Sequence, residues 1–254
     1  MTKCLVHDHI FKTQDMVINT GKSKVMIFNP SRNFDSTPKL TLPDMGGEYL
    51  EVVESVKLLG VVMRSDMRWC DNTDYICQKG YSRLWMIRRL KGLGATSKEL
   101  LDVYQKQVRV VLELAVPVWH PAITIEERKQ IERVQKCALY IILGSDFTCY
   151  SNALETLGIE SLENRRSKIC ESFAMKCYKS PRYHTWFHAN NYSQSQHYTR
   201  AYKSKLRPVS CRTKRYKNSA LPYLTESLNN ILSKKKWAQY LLLYYLCRHV
   251  NYGL

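Results

Sequence analysis

With 254 residues, of which 44% are hydrophobic, the chain is long enough to bury one large core or two small ones, and this composition argues against disorder throughout. The 39 lysines and arginines against 22 aspartates and glutamates give a formal net charge of +17, which favours a polyanionic partner, either nucleic acid or an anionic membrane surface. Nucleic acid is the stronger expectation, because 17 tyrosines are available to stack on bases.

The cysteine and hydropathy patterns predict an intracellular protein, nuclear or cytoplasmic. The nine cysteines are odd in number and scattered, and the N-terminus has no signal-type apolar run, so we expect a reducing compartment. The longest apolar stretch, 237–247, is about half of the ~20 residues that a transmembrane helix needs. No transmembrane segment is therefore predicted.

The first elements predicted are two short strands. Apolar, β-branched runs at 25–28 and 56–63 flank a loop rich in proline and glycine, which indicates an antiparallel β unit. Three lysines stand at the edges of the two runs: Lys22, Lys24 and Lys57. They are either ordinary strand-end charges or cations beside an exposed turn. The preceding His7-Asp8-His9 predicts no metal site, because neighbours in sequence point in different directions.

A helix is predicted next, over 72–93. Its apolar residues recur close to the 3.6-residue helical period and predict one buried stripe, formed by Cys77, Tyr81, Leu84, Trp85 and Leu90. The other face carries four cations, some of them in the last turn, where the helix dipole favours positive charge: Lys79, Arg83, Arg88 and Arg89. This face is either a solvated helix end or a ridge that contacts phosphates.

Two capping boxes predict the starts of two further helices. Thr96 is followed three residues later by Glu99, and Thr124 is followed in the same way by Glu127. Pro117 is expected to break or kink the first of these helices. Shorter helices are predicted over 151–157 and 161–179, so this part of the chain is typical of a helical bundle.

The helix over 161–179 is expected to bury Leu162, Ile169, Cys170, Phe173 and Cys177. Together with His184 and His188, its two cysteines suggest a zinc finger. However, cysteines seven apart on a helix lie roughly 10 Å apart along its axis, whereas two thiolates on one zinc lie within about 4 Å of each other. We therefore predict core cysteines and no metal. His120, between a tryptophan and a proline, is predicted to be a structural corner residue rather than a catalytic base.

A basic segment follows, in which 178–220 contains no Asp or Glu. Few aliphatic residues and interleaved tyrosines predict an extended or mobile arm that becomes ordered on a polyanion, with a solvated linker as the alternative. Seven cations of this arm are candidate phosphate contacts: Lys203, Lys205, Arg207, Arg212, Lys214, Arg215 and Lys217. The last residues, 233–254, predict an appended basic-aromatic helix.

Three motifs together resemble the end of the reverse transcriptase domain of non-LTR (LINE-like) retrotransposons. They are Asn-x-x-Lys-x-Lys-x-Met-x-Phe at 19–28, Lys-Leu-Leu-Gly-Val at 57–61, and Trp69 followed by a long basic helix. The similarity continues through 131–144 and 153–166 and covers about 19–228. The resemblance implies that the first motif is the late palm motif with its lysine, Lys22, and that the second is the primer-grip hairpin.

The same resemblance implies that the catalytic centre is missing. In that family the metal-binding aspartates lie in a Phe/Tyr-Ala-Asp-Asp box and an earlier strand, both before the first motif. Only 18 residues precede Asn19 and none of them forms that box, so the chain is expected to start after the catalytic centre. We predict no catalytic residue, no metal ligand and no cofactor. The magnesium ions of the parent enzyme are not expected to bind, because polymerisation needs metal ions held by carboxylates.

The prediction is thus an α+β chain, in which a small antiparallel β unit precedes a mainly α-helical bundle and a basic C-terminal arm. Its expected domains are a palm remnant with a primer-grip-like hairpin (1–66), a thumb-like bundle (67–180), a basic, partly disordered arm (181–232) and the tail helix (233–254). Its expected function is non-specific binding of RNA, DNA or their hybrid by a truncated reverse transcriptase. The alternatives are a helical protein-interaction or membrane-surface protein, with 237–247 as the anchor, or a decayed reading frame without selected function.

Overall fold

The computed structural model of the chain describes residues 19–28, 49–188 and 206–233. This part is mixed α and β and mostly helical, as predicted. The chain divides into two compact units, Met1–Asn72 and Thr73–Leu254. His7 to His9, the proline-rich loop, Lys203, Lys205 and the predicted tail helix beyond 233 lie outside the described residues.

The first unit contains two small sheets. Strand β1 (Lys24–Val25) pairs in parallel with β2 (Glu51–Val52), whereas β3 (Ser55–Leu58) pairs antiparallel with β4 (Val61–Arg64). The prediction that the runs 25–28 and 56–63 form one antiparallel unit is therefore wrong. The second run folds back on itself, because Leu59 and Gly60 both adopt positive φ, 49° and 87°, as a two-residue hairpin turn of type I′ requires.

The second unit begins within the helix α1 (Cys70–Gly92) and continues into α2 (Ser97–Val103). The α2 helix runs on through a π-helical turn (Tyr104–Arg109) into Val110–Leu112. Leu100, Tyr104, Val108 and Leu112 are all buried, although they are four residues apart. Each such step overshoots a 3.6-residue turn by about 40°, and the wider π turn offsets this drift.

Four helices complete the central part of this unit: α3 (Val116–Trp119), α4 (Ile125–Leu143), α5 (Tyr150–Thr156) and α6 (Leu162–Lys179). Both predicted capping boxes are present, since Thr96 and Thr124 accept from the N–H groups of Glu99 and Glu127, whose carboxylates accept in return. The helix after Thr96 ends before Pro117, as predicted. In the packed bundle, α4 contacts α2, α5 and α6, and α3 contacts α6.

The predicted buried faces are correct only in part. The buried apolar side chains of α1 are those of Ile76, Cys77, Leu84 and Ile87, whereas Tyr81 and Trp85 are exposed. Two adjacent stripes of α1 fit the helical period almost equally well, and packing decides between them. The helix turns the side of Gly80 towards its neighbours, where a Cβ atom would lie 2.9 Å from a Val134 methyl and 3.0 Å from a Leu112 methyl.

A similar correction applies to α6. Phe173, which was predicted to be buried, is exposed, whereas Ala174 is buried in the same turn. Arg166, one turn after the start of the helix, is also buried. A search for periodic apolar residues cannot identify it, because its side chain is charged. Leu162, Cys170 and Cys177 are buried, as predicted.

The predicted arm also differs from the structure where it is described. Residues 214–217 form a short helix, α7 (Lys214–Lys217), and 220–233 form a longer one, α8. Leu224 and Leu228 of α8 are buried, and so is Leu206. The side chain of Asn229 holds the backbone of Leu206 through two hydrogen bonds, of 2.7 and 3.2 Å. The arm was predicted from the absence of acids up to residue 220. The leucines beyond that residue recur at helical spacing and were not taken into account.

Candidate nucleic-acid interface

The lysines predicted in the first unit lie on its exposed parts. Lys22 ends the single turn Thr20–Lys22, and Lys24 of β1 forms an ion pair of 2.9 Å with Glu51 of β2. Lys57 lies on β3, one residue before the turn that joins β3 to β4, and it is exposed. Lys24 is therefore already neutralised by Glu51, and Lys22 and Lys57 are exposed.

The tip of the β3–β4 hairpin has an unusual composition for a two-residue turn. Such turns favour Asn-Gly, because both central residues need positive φ and a branched side chain is strained there. Here the first position is Leu59, whose side chain is 93% exposed, and the preceding Leu58 is exposed as well. The side chain of Leu59 is not buried, and its backbone conformation is strained, so the residue does little to stabilise the fold. Its side chain is available to a partner.

The four cations predicted to form one ridge on α1 do not act together. Lys79 lies 4.8 Å from the centroid of the Tyr75 ring, and Arg83 donates to the carbonyl of Gln107 in the π turn of α2. Arg88 and Arg89 are exposed, and within the described part of the chain neither has an ion-pair partner. Of the four cations, Arg88 and Arg89 are thus the two whose charged groups no such contact holds.

A second cationic surface, which the sequence analysis missed, lies on α4. Its charged residues line a cleft of about 540 Å³ together with Tyr150. Arg128 and Lys129 are neutralised by Glu163 at 2.9 Å and by Glu126 at 2.8 Å. Arg133 and Lys136 are exposed and have no ion-pair partner among the described residues. Their spacing along one helix face could have been found in the sequence, but the acids that neutralise their neighbours could not.

The cations of the predicted arm that the structure describes are exposed, and three of them lie in α7. The whole set is Arg207, Arg212, Lys214, Arg215 and Lys217. The hydroxyl of Thr213 caps α7 by accepting from the N–H of Tyr216. The cap fixes the start of the helix that carries Lys214 and Lys217. Lys214 and Lys217 have no ion-pair partner within the described residues.

A buried polar network at the centre of the bundle involves Arg166, His120 and Glu132. The fully buried Arg166 donates from Nε to Nδ1 of His120 at 3.3 Å, and its Nη2 lies 3.8 Å from the Glu132 carboxylate. Burial, followed by the charge of Arg166, lowers the pKa of His120 to about 3. This histidine is a neutral acceptor in the core at physiological pH, and its burial against Arg166 agrees with the structural role predicted for it.

Glu132 connects this network to the helix termini. Its carboxylate accepts from the hydroxyl of Tyr150 at 2.5 Å and from the backbone N–H groups of Leu162 and Glu163 at 3.3 and 2.6 Å. A carboxylate at the start of α6 is favoured by the helix dipole. Glu132 is thus fully occupied by protein donors and is not available as a metal ligand.

The carboxylates and thiols of the described residues do not fit a metal centre. Asp66 and Asp71 both bind the guanidinium of Arg64, whose hydrogen bond to Asp66 lowers the pKa of that carboxyl. Cys170 and Cys177 are buried, and burial raises the pKa of the Cys170 thiol to about 12, which disfavours the thiolate that zinc binds. Across the described ranges, no three His, Cys, Asp or Glu side chains form a group that could hold a metal ion.

The described helices also bear on a membrane location. None of them is both long enough and apolar enough to cross a bilayer. The region 237–247, the anchor of the membrane-surface alternative, lies outside the described residues. Compared with family models, with curated proteins and with solved structures, the chain matches none of them.

Proposed function

We propose that this chain binds nucleic acid without sequence specificity, as a protein derived from a non-LTR retrotransposon reverse transcriptase. One observation carries the binding proposal: the second unit exposes several cations that form no ion pair within the described residues. They lie on three elements and comprise Arg88, Arg89, Arg133, Lys136, Lys214 and Lys217. Because unpaired surface cations contact phosphates and release counterions, they suit a polyanion of any sequence.

The hairpin of the first unit supports the reverse transcriptase part of this proposal. Its Lys-Leu-Leu-Gly motif resembles the primer grip, and its tip exposes Leu59 in a strained backbone conformation. A strained, exposed apolar residue is more often kept for contact with a ligand than for folding. In this proposal β3 and β4 derive from the palm, and the helices from α1 onwards derive from the thumb.

The proposal covers binding and no catalytic step. Among the described residues, no three His, Cys, Asp or Glu side chains form a group that could hold a metal ion, so two-metal catalysis is not part of the proposal. The side chain of Lys22, which the motif matches to the palm lysine, is proposed to contact the nucleic-acid backbone and nothing else.

Salt dependence tests the binding proposal. If about six phosphates are neutralised, the logarithm of the affinity should fall with the logarithm of salt concentration at a slope of roughly −4 to −5. The variant Lys214→Gln/Lys217→Gln should flatten this slope by about 1.4 to 1.8, since each lost phosphate contact removes about 0.7 to 0.9. The measurement is the binding of a fluorescent oligonucleotide between 50 and 200 mM salt.

A matched control removes the same charge from lysines that already have partners. Lys106 pairs with Asp102 at 2.7 Å and Lys168 pairs with Glu160, so Lys106→Gln/Lys168→Gln should leave the slope close to that of the parent. An unchanged slope in the Lys214/Lys217 variant, with circular dichroism showing an intact fold, would remove α7 from the interface. Equal flattening in both variants would mean that net charge alone, and no particular surface, attracts the nucleic acid.

An apolar groove favours a second candidate function, the binding of another protein. Residues 113–118, which include the start of α3, and one face of α6 line a groove of about 620 Å³. Val118 and Phe173 within it are 46% and 38% exposed, and Pro117 and Ile169 add to its apolar lining. A groove of this kind suits an apolar helix or peptide better than a phosphate backbone. The two functions are separable, since no residue of the salt experiment except Lys168 lines this groove.

A further inference from the structure

Two aromatic residues on α1 remain exposed although the helix has a complete buried face. Trp85 is 61% exposed and Tyr81 is 40% exposed, while Ile76, Leu84 and Ile87 fill the core from the adjacent stripe of the helix. A tryptophan in this position contributes little burial to the fold. Like Leu59 at the hairpin tip, it is a large apolar side chain that folding does not account for.

Helix geometry places these rings beside the unpaired cations of the same helix. Residues three or four apart are neighbours on a helix surface, so Tyr81 and Trp85 form one continuous aromatic patch about 6 Å long. Arg88 and Arg89 follow Trp85 by three and four residues and lie one turn further on. We call these four residues the α1 aromatic face.

The charge along this part of α1 has a single sign. No Asp or Glu occurs between Asp74 and Glu99, and Arg88 and Arg89 have no ion-pair partner within the described ranges. A face with aromatic rings and unpaired guanidinium groups is complementary to a ligand that offers both flat π surfaces and negative charge. Nucleic acids have both, and an exposed base makes its ring available only when it is unpaired.

We propose that the α1 aromatic face is a stacking site for unpaired bases, so that the protein prefers single-stranded nucleic acid, or single-stranded extensions, over a blunt duplex. The proposal rests on the nucleic-acid binding proposed above and adds a preference that the lysine and arginine surfaces do not supply. Bases stack on Trp85 and Tyr81, and Arg88 and Arg89 contact the adjoining phosphates. Since every base has a π face, the site does not read sequence.

The test compares two ligands with the same number of phosphates, a fluorescent oligothymidylate and a blunt DNA hairpin. Trp85→Leu removes the ring but keeps an apolar side chain and a good helix former at an exposed position, so the fold should be retained. We expect the affinity for the single strand to fall by about 5- to 150-fold, the range for the loss of one stacked base. The affinity for the hairpin and the salt slope for both ligands should stay unchanged, because no phosphate contact is removed.

Two control variants sharpen the comparison. Trp186 is also exposed but lies outside α1 and packs on Tyr183, so Trp186→Leu should leave both affinities unchanged. Trp85→Tyr keeps an aromatic ring and should restore most of the lost single-strand affinity.

Three results would overturn the proposal. The first is a single-strand affinity of Trp85→Leu equal to that of the parent. The second is an equal loss of affinity for both ligands with a flatter salt slope, which would make Trp85 a positioning residue for phosphate contacts. The third is a change of oligomeric state in Trp85→Leu, measured by sedimentation, which would make the face a protein interface. If the parent binds neither ligand, the nucleic-acid function itself fails, and the salt series on the parent identifies that outcome.

Discussion

At the scale of single residues, the most costly feature of the fold is the burial of Arg166. A buried guanidinium is tolerated only when carboxylates and acceptors compensate for its lost hydration. Glu132 supplies the charge and His120 supplies a neutral acceptor, while Nη1 and Nη2 of Arg166 make no hydrogen bond within the described residues. The network connects α4, α6 and the corner after α3, so removing one partner should destabilise more than one contact.

The first residue-scale prediction concerns pH. His120 has a pKa of about 3 in the folded chain, whereas an unperturbed histidine titrates near 6.5. Between these values the unfolded chain binds a proton at this histidine that the folded chain does not bind. The contribution of a neutral His120 to the free energy of unfolding is therefore complete above pH ~6.5 and is lost as the pH falls towards ~3. The limiting slope from this one group is about 1.4 kcal/mol per pH unit.

The variant His120→Gln keeps an acceptor for Arg166 but cannot take up this proton. The free energy of unfolding in urea, measured at pH 7, 6 and 5, should therefore fall less steeply in the variant than in the parent. The exposed His188 provides the control, because His188→Gln should preserve the pH dependence of the parent. Parallel pH profiles for His120→Gln and the parent would show that His120 is protonated in the folded chain as well.

At the scale of elements, local signals in the sequence predicted the helices, and tertiary packing decided the rest. Thr96 and Thr124 stand at the starts of α2 and α4, because a capping box acts within four residues of chain. The buried side of α1 could not be predicted in the same way, since Trp85 and Ile87 are both apolar and only the position of the neighbouring helices distinguishes them. Periodicity treated 56–63 as a single strand, because Leu59 is an unexpected residue for a turn, and only the resemblance led us to expect a hairpin there.

The candidate interface was predictable to a similar degree. The cations predicted at 207–217 are exposed in the structure. The sequence could not show that Arg83 and Lys24 already have partners, because those partners, Gln107 and Glu51, are distant in sequence. Trp85 was predicted to be buried because the sequence does not show where the neighbouring helices pack against α1, and it is exposed.

The element-scale prediction tests the close approach of α1 to its neighbours. In an exposed helix, Gly→Ala stabilises by about 1 kcal/mol. At Gly80 the new methyl group would meet the buried side chains of Val134 and Leu112 at about 3 Å, and overpacking of this kind costs roughly 1 to 3 kcal/mol. Gly80→Ala should therefore lower the free energy of unfolding by up to about 2 kcal/mol despite the gain in helix propensity.

Gly92, at the end of the same helix, is the matched control. A Cβ atom there meets nothing within 4 Å, so Gly92→Ala should be neutral or stabilising by up to about 1 kcal/mol. Urea denaturation of both variants gives the comparison. A stabilised Gly80→Ala variant would mean that α1 can move away from α2 and α4 at little cost, and that the crossing is looser than described.

At the scale of the whole molecule, the net charge of +17 opposes compaction. Like charges on one chain repel each other, and the unpaired cations on α1, α4 and α7 add to this repulsion without compensating ion pairs. A bound polyanion would neutralise them together. The molecule is therefore expected to be more stable when its ligand is bound than when it is free, and this stabilisation should be sensitive to salt.

An oligonucleotide at 100 times its dissociation constant should stabilise the folded chain by about 2.7 kcal/mol, since it binds the folded state preferentially. For a protein of this size, that corresponds to a rise in the melting temperature of roughly 5 to 10 °C. At a slope of −4 to −5, raising the salt from 50 to 200 mM lowers the affinity by about 250- to 1,000-fold, which takes the same oligonucleotide below its dissociation constant. The rise should then disappear.

Thermal unfolding followed by circular dichroism measures both effects, with inorganic phosphate at the same total phosphate concentration as the control that should produce neither. A melting temperature that the oligonucleotide leaves unchanged at 50 mM salt, or a rise that persists at 200 mM, would contradict binding through the unpaired cations.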